Sequence, residues 1–471
     1  MQILYEKYLK AWLAAPPALR ALSLGCTLLA WSYQPLINLG MSSTAHLELS
    51  FTMIASVLFI VLSVSRIVMM RTTLYRLPWL IALTMYVLYA GASLTYSLDP
   101  GRGLALWALV VMLLGVALSL YVWRAVIYRY RMLLLWSTTV GVVFSCLAAW
   151  FQIIGSAVGL SDRYTLLPAM YSAEVFGFAR PTAWFAEPQF LANFLIIPLT
   201  YLLWRWLAHG TLTRVHYLLL GFTWVTFLAT LSRGGYIGLF VASVILVIAY
   251  RPLRHRVVII ATSVIITAVV TFGGLGLLAH YNQRDSLNGY DSLQKTIQQI
   301  SLGTVSLPTV QPTMPTIPIP TPTPSAADNT FVQSSTTDRQ TMAQVARDVW
   351  LHDGRTMLFG VGLGGFGNAA HAHTNTLGTN SVVNNHYLET LAELGVVGFG
   401  LLLACLVVPI IALYKRRAWL GIALIMGLTL QWNFFSGYPN VIHIWYVVGI
   451  AFALVNRASK LSRINQHNRV S

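Results

Sequence analysis

The sequence predicts an all-α polytopic membrane protein of about twelve transmembrane helices. Two observations carry this prediction. Of the 471 residues, 56% are hydrophobic and only 9% charged, and the mean hydropathy is +0.66. Apolar runs of about 18 residues or more recur along the chain, and a hydrocarbon core of roughly 30 Å needs about 20 helical residues.

In order, the runs lie near 20–39, 48–65, 78–97, 103–123, 132–153, 188–207, 216–232, 234–250, 257–279, 390–414, 418–435 and 441–456. No cleavable signal peptide is expected, because the first run is long and a second follows soon after. Basic residues fix the orientation. With the N-terminus inside, cytoplasmic segments receive twenty-one of the 30 Lys and Arg, among them Arg124 and Lys415–Arg417, against one acid, Glu6. Short loops rich in Lys and Arg mark the cytoplasmic side, so the net charge of +16 reflects topology rather than nucleic-acid binding. Both termini are then expected to be cytoplasmic. Cys26, Cys146 and Cys405 all fall in predicted spans and read as small apolar fillers. No Cys or His cluster has zinc spacing, so neither a metal nor another cofactor is expected.

Residues 1–279 thus hold nine spans, and 389–471 the last three with a basic tail. Between them, 280–388 form one large extracytoplasmic loop. Its "PTVQPTMPTIPIPTPTPS" (Pro308–Ser325) alternates Pro with Thr, Ile and Val. Such a run stays extended as polyproline II and reads as a spacer. The remainder, 331–388, is expected to form a helical cap. In "TDRQTMAQVARDVWLHDG", Met342, Val345, Ala346, Val349 and Trp350 recur at helical spacing. "FGVGLGGFGNAA" follows, with five Gly in nine residues, which demands tight turns or close backbone approach. It lacks the spacing and the Lys-Ser/Thr ending of a nucleotide loop, so a turn between surface helices is the better reading.

Charges at the external helix ends are the candidates for chemistry. Arg233 stands in "LSRGGYIGL", between two apolar runs close enough to form a tight hairpin. Gly234 and Gly235 would leave its helix end open to a phosphate. Arg180 stands in "FARPTAWFAEPQFLANFL", ahead of Glu187 and Pro188, and Arg339 opens the helix of the cap. Arg102 and Arg163, each beside an Asp, suit the plainer role of reaching lipid headgroups. Several guanidiniums facing one cavity would suit a diphosphate, since Arg binds phosphate oxygens bidentately and never loses its charge.

From about residue 180 onward, these motifs resemble the O-antigen ligase and polymerase superfamily of bacterial membrane glycosyltransferases. The resemblance rests on "ARPTAWFAEPQFLA", "SRGG", "DRQTMAQVARDVWLHDGRTMLFGVGLGGFG" and "NNHYLETLAELGVVG", taken in this order. It implies a GT-C-like fold, no metal, and a glycan donor carried on undecaprenyl diphosphate. The acceptor would be a glycan, a lipid or a protein outside the plasma membrane. Residue by residue, it implies that Arg233 and Arg339 hold the diphosphate, and Arg180, by its own position at an external helix end, is expected to join them.

At one point the sequence departs from the ligase pattern. That pattern has a His nine residues and a polar position ahead of Gly-x-x-Gly, and counting back from Gly395 and Gly398 puts Asn384 there. His386 comes two residues later, about 200° around a helix. Three readings stand. His386 serves in its place, provided the backbone at Asn384 is not helical. Glu389 or Glu393, on the face of His386 at i+3 and i+7, is the working group. Or Asn384 or Asn385 only caps the helix, with Glu389 in its first turn. Without a His, Asn384 could still orient a hydroxyl by hydrogen bonding.

The departure points from ligation proper toward polymerisation of a surface or exopolysaccharide, with transfer to protein open. A twelve-span secondary transporter is the rival from another class. It would place its charges nearer the bilayer midplane and carry internal repeats. The spacer yields a first prediction. Deleting 308–325 should leave activity within about a few-fold, since loop length costs little entropy. Total loss in a polymer-length assay would show that the spacer has a specific partner.

Overall fold

The computed structural model describes residues 2–29, 35–40, 46–70, 77–165, 180–185, 187–250, most of 262–275, 331–375, 377–379, 381–435 and most of 446–450. Residues 308–325 and most of the twelfth predicted span lie outside them.

Helices dominate. The first half holds α1 (Gln2–Ala14), α2 (Pro17–Leu28), α3 (Phe51–Val61), α4 (Val64–Met69), α5 (Pro78–Ser93), α6 (Pro100–Val122), α7 (Arg124–Arg129), α8 (Arg131–Ala157) and α9 (Asp162–Thr165). The second holds α10 (Pro188–His209), α11 (Arg214–Ala229), α12 (Arg233–Tyr250), α13 (Phe331–Trp350), α14 (Gly354–Phe359), α15 (Phe366–Thr374), α16 (His386–Tyr414) and α17 (Trp419–Leu430). Pro opens α2, α5, α6 and α10 within their first two positions, where its missing N–H costs nothing.

Among the described residues, six helices are long and apolar enough to cross a membrane: Pro78–Tyr96, α6, α8, α10, α12 and α16. They coincide with the third, fourth, fifth, sixth, eighth and tenth predicted runs. Phe51–Val61, Arg214–Ala229 and Thr262–Leu275 are shorter apolar helices. The first run, expected as a helix over 20–39, is different. Its helix α2 ends at Leu28, and Pro35–Gly40 pairs with His46–Ser50 as an antiparallel hairpin, β1 and β2. Pro35 cannot donate to a helical turn, and an apolar run alone does not choose between periods of 3.6 and 2.

The membrane helices share one core, in which Leu19, Phe59, Tyr86, Phe194 and Trp432 are fully buried. Small residues let backbones meet. A Cβ on Gly238 of α12 would lie 2.4 Å from the Gly427 carbonyl of α17, so only Gly permits that approach. Helix α13 belongs to a second cluster. Its Val345, Ala346 and Val349, the face expected from their spacing, pack with Phe366, Ala370, Val383 and Ala392.

Between α14 and α15 the glycine run is a clasp rather than a surface turn. Gly360, Gly362 and Gly364 have φ of +75°, +88° and +78°. Leu98 N–H donates to the Val361 carbonyl, and Ser97 Oγ to the Leu363 carbonyl, tying the run to the start of α6. Its other side grips α16, which is kinked at Gly395 (φ 63°, ψ −170°). A helix that kinks leaves carbonyls in need of donors. Here Ala392 accepts from Val361 N–H at 3.0 Å, Glu393 from Gly362 N–H at 2.8 Å, and Leu394 from Tyr89 O–H at 2.9 Å.

Candidate functional site

The starts of α10, α12 and α16, the end of α17 and Arg339 of α13 converge at one end of the bundle. Helix α17 runs into a 3-10 turn, Gln431–Asn433. Phe190 of α10 packs edge-on against Phe435, with centroids 4.9 Å apart. His386 N–H donates to the Phe435 carbonyl, and Tyr387 O–H to the Thr429 carbonyl. The turn is thereby clamped between α10 and α16.

A chain of buried amides runs beneath. Asn193 Nδ2 donates to Gln431 Oε1 at 2.8 Å. Gln431 Nε2 donates to the Gln189 carbonyl at 2.9 Å and reaches Ser232 Oγ at 3.5 Å. Ser232 in turn accepts from Gly235 N–H at the start of α12. Above this layer, Arg339 Nη2 donates to Gln189 Oε1 at 3.4 Å, and Gln189 Nε2 donates to the Glu187 carboxylate. Arg233 lies within Coulombic reach of Arg339. Arg233, Arg339 and Glu187 are all only partly buried.

Two features of the hairpin differ from expectation. Gly234 and Gly235 do not open the helix end, because both are buried. A Cβ on Gly234 would lie 2.9 Å from Phe434, and one on Gly235 2.8 Å from Ala192. They let α12 seat against α10 and the turn after α17. Arg180 does not aim its Nε and Nη2 into the site. Both donate to the Thr230 carbonyl, at 3.0 and 2.8 Å, and Nη2 also reaches that of Leu231. Leu231 has φ of 51°, a conformation a branched side chain rarely takes. The Arg180 fork thus stabilises the turn that delivers Arg233. Its own segment is held by Gln152, whose Oε1 accepts from Thr182 and Ala183 N–H at 2.9 and 2.7 Å.

At the start of α16, Asn385 is the cap, its Oδ1 accepting from Tyr387 and Leu388 N–H at 3.1 Å each. Asn384 precedes the helix with φ of 55°, in the left-handed region that Asn tolerates. The two residues therefore do not stand 200° apart on a helix. His386 is 2% exposed, with its ring edge-on to Trp432 at 4.9 Å. Its Nδ1 lies 3.8 Å from Glu389 Oε2. Glu389 and Glu393 are 6% and 2% exposed. Glu393 Oε1 accepts from Phe366 N–H at 3.4 Å and feels the charges of Glu389 and Arg102. Glu393 thus faces the clasp, while Glu389 lies against His386. Among the described residues, no three His, Cys, Asp or Glu gather as a metal site.

Sequence reasoning missed Gln189, Gln431 and the involvement of Glu187. The only signal was the polar pair Glu187 and Gln189 at the start of an apolar run.

Residues 218–403 match a family model described as O-antigen ligase. The resemblance to the O-antigen ligase and polymerase superfamily is shown over this segment. It holds Arg233, Arg339, Asn384, His386 and Glu389, and leaves Arg180 outside. No curated protein matches the chain. Six helices fit to cross a bilayer among the described residues mark a membrane protein, and its segment 218–403 is similar to a family of O-antigen ligase, glycosyltransferase-like membrane enzymes.

Proposed function

We propose that the protein transfers or polymerises an undecaprenyl-diphosphate-linked glycan on the outer face of the plasma membrane, in surface or exopolysaccharide assembly. The observation that carries this is the chain of hydrogen bonds from Arg339 through Gln189 and Gln431 to Ser232, next to Arg233, which brings two partly exposed guanidiniums from separate helices to one site. Like charges gathered at one site repel, and a diphosphate bound there would turn that cost into charge-assisted hydrogen bonds. The proposed frame is twelve spans in a GT-C-like arrangement, with 280–388 outside and both termini in the cytoplasm. The donor's lipid would lie along the apolar helices, and no metal is needed.

In the reaction, an acceptor hydroxyl attacks the anomeric carbon as the bond to the diphosphate breaks, with inversion. Arg233 and Arg339 stabilise the charge that collects on the leaving phosphate. Arg180 contributes through the hairpin it holds. Asn384 at the ligase His position favours polymerisation over ligation. Asn384 and the capped turn beside it orient the acceptor, and His386 and Glu389 support that turn from below. Purified protein in liposomes, given lipid-linked glycan extracted from its native cells, should lengthen the chains. Labelling of lipid A-core or a protein instead would place it with the ligases or protein transferases.

A second prediction separates support from catalysis at the start of α16. His386→Ala opens space under Trp432, so thermal stability should fall by about 1–3 kcal/mol. Transfer at a temperature where the variant is folded should drop less than about tenfold, below the range of a lost acid–base group. A loss as deep as that of Arg233→Ala would make His386 a catalytic group.

A further inference from the structure

We propose that Glu187 is the general base of the transfer, resting on the reading of Arg233 and Arg339 as the diphosphate site. A base must touch the proton it removes. His386, Glu389 and Glu393 are 2%, 6% and 2% exposed, lying beneath Trp432 and the clasp. Glu187 is partly open, as are the two arginines.

Its position is built rather than incidental. Glu187 occupies the cap position of α10, yet its carboxylate makes no capping bond to the helix. It accepts instead from Gln189 Nε2, and Gln189 Oε1 accepts from Arg339. Gln189 is 7% exposed, its backbone carbonyl is held by Gln431, and its side-chain amide bridges Glu187 and Arg339. The carboxylate therefore stands one amide away from a guanidinium assigned to the leaving group. A sugar bonded to that diphosphate would present its anomeric carbon near Glu187.

The step balances. The acceptor oxygen forms the new bond to the anomeric carbon, and its proton passes to the Glu187 carboxylate. The old C–O bond breaks, and its electron pair stays on the undecaprenyl diphosphate, held by Arg233 and Arg339. Gln189 keeps one carboxylate oxygen occupied and leaves the other for the proton.

The rival role is a counter-charge that merely offsets the arginines. Full-length protein in liposomes distinguishes the two, with undecaprenyl diphosphate as binding probe and extracted lipid-linked glycan as substrate. As a base, Glu187→Gln should bind undecaprenyl diphosphate within about threefold of wild type. It should transfer glycan about 10²–10⁴-fold more slowly. Glu187→Asp should transfer well above the Gln variant, and added formate should restore part of the rate to Glu187→Ala. As a counter-charge, Glu187→Gln would bind more tightly and transfer at nearly the wild-type rate. Transfer within about threefold of wild type, or loss of binding together with transfer, overturns the assignment. Wild-type protein that neither binds the probe nor extends the glycan would sink the diphosphate reading itself, and Glu187 with it.

Discussion

Arg233→Ala is expected to abolish glycan transfer while leaving the protein inserted, folded and slightly more stable. The activity side follows from preorganisation. Removing one fixed donor to a developing oxyanion costs about 10²–10³ in rate. Arg339 would be left to hold the diphosphate without its neighbour. The stability side follows from where Arg233 stands. It is the first residue of α12, where a positive charge opposes the helix dipole, and it lies within reach of a second guanidinium. Neither contact favours the folded state, so truncation should not unfold it. Arg233→Lys keeps the charge but loses the planar fork, and should fall between the two. The checks are chain growth from extracted lipid-linked glycan and thermal melting in detergent. Full-length polymer in cells whose only copy is Arg233→Ala would end the assignment.

Arg233 stands out in the sequence because few reasons exist for a guanidinium between two apolar runs. Its neighbours were harder. Gly234 and Gly235 read as an opening, since a sequence shows the lack of a side chain but not what fills the space. Phe434, some 200 residues away, fills it. Arg180 looked like a further diphosphate ligand beside Arg233 because residue type carries no direction. Its fork turns toward the carbonyls of Thr230 and Leu231, acceptors that any residue could have supplied. Of the five residues at helical spacing from Met342 to Trp350, Val345, Ala346 and Val349 form the buried face of α13, a pattern visible in sequence because helical periodicity is local. Whether Asn384 and His386 share a helix stayed open in the sequence, because helix starts are fixed by caps rather than by periodicity, and the helix begins only at His386. The cap itself, Asn385, was one of two residues the sequence offered.

The glycine motif that ends the "NNHYLETLAELGVVG" stretch has a physical reason that the sequence alone could not supply. Gly395 takes φ 63° and ψ −170°, a combination essentially confined to Gly. It is also pressed against the clasp, where a Cβ would lie 2.3 Å from the carbonyl carbon and oxygen of Leu358. Gly395→Ala should therefore suffer twice. The backbone conformation alone costs about 1–3 kcal/mol, and the clash forces either α16 or the end of α14 to move. Backbone is what the new methyl meets, so no side chain can turn aside to relieve it. Movement there would break the bonds that bring Val361 and Gly362 N–H to the Ala392 and Glu393 carbonyls, loosening the cap from the spans. Gly400 is the control. It lies in the same helix with nothing within 4 Å of where a methyl would stand, so Ala there should be neutral or mildly stabilising. Melting in detergent and protease cleavage of 331–385 should separate the two variants clearly. Equal melting temperatures for Gly395→Ala and Gly400→Ala would show that the kink is not what fastens the cap, and that its grip on the bundle lies in the Val345–Val349 face instead.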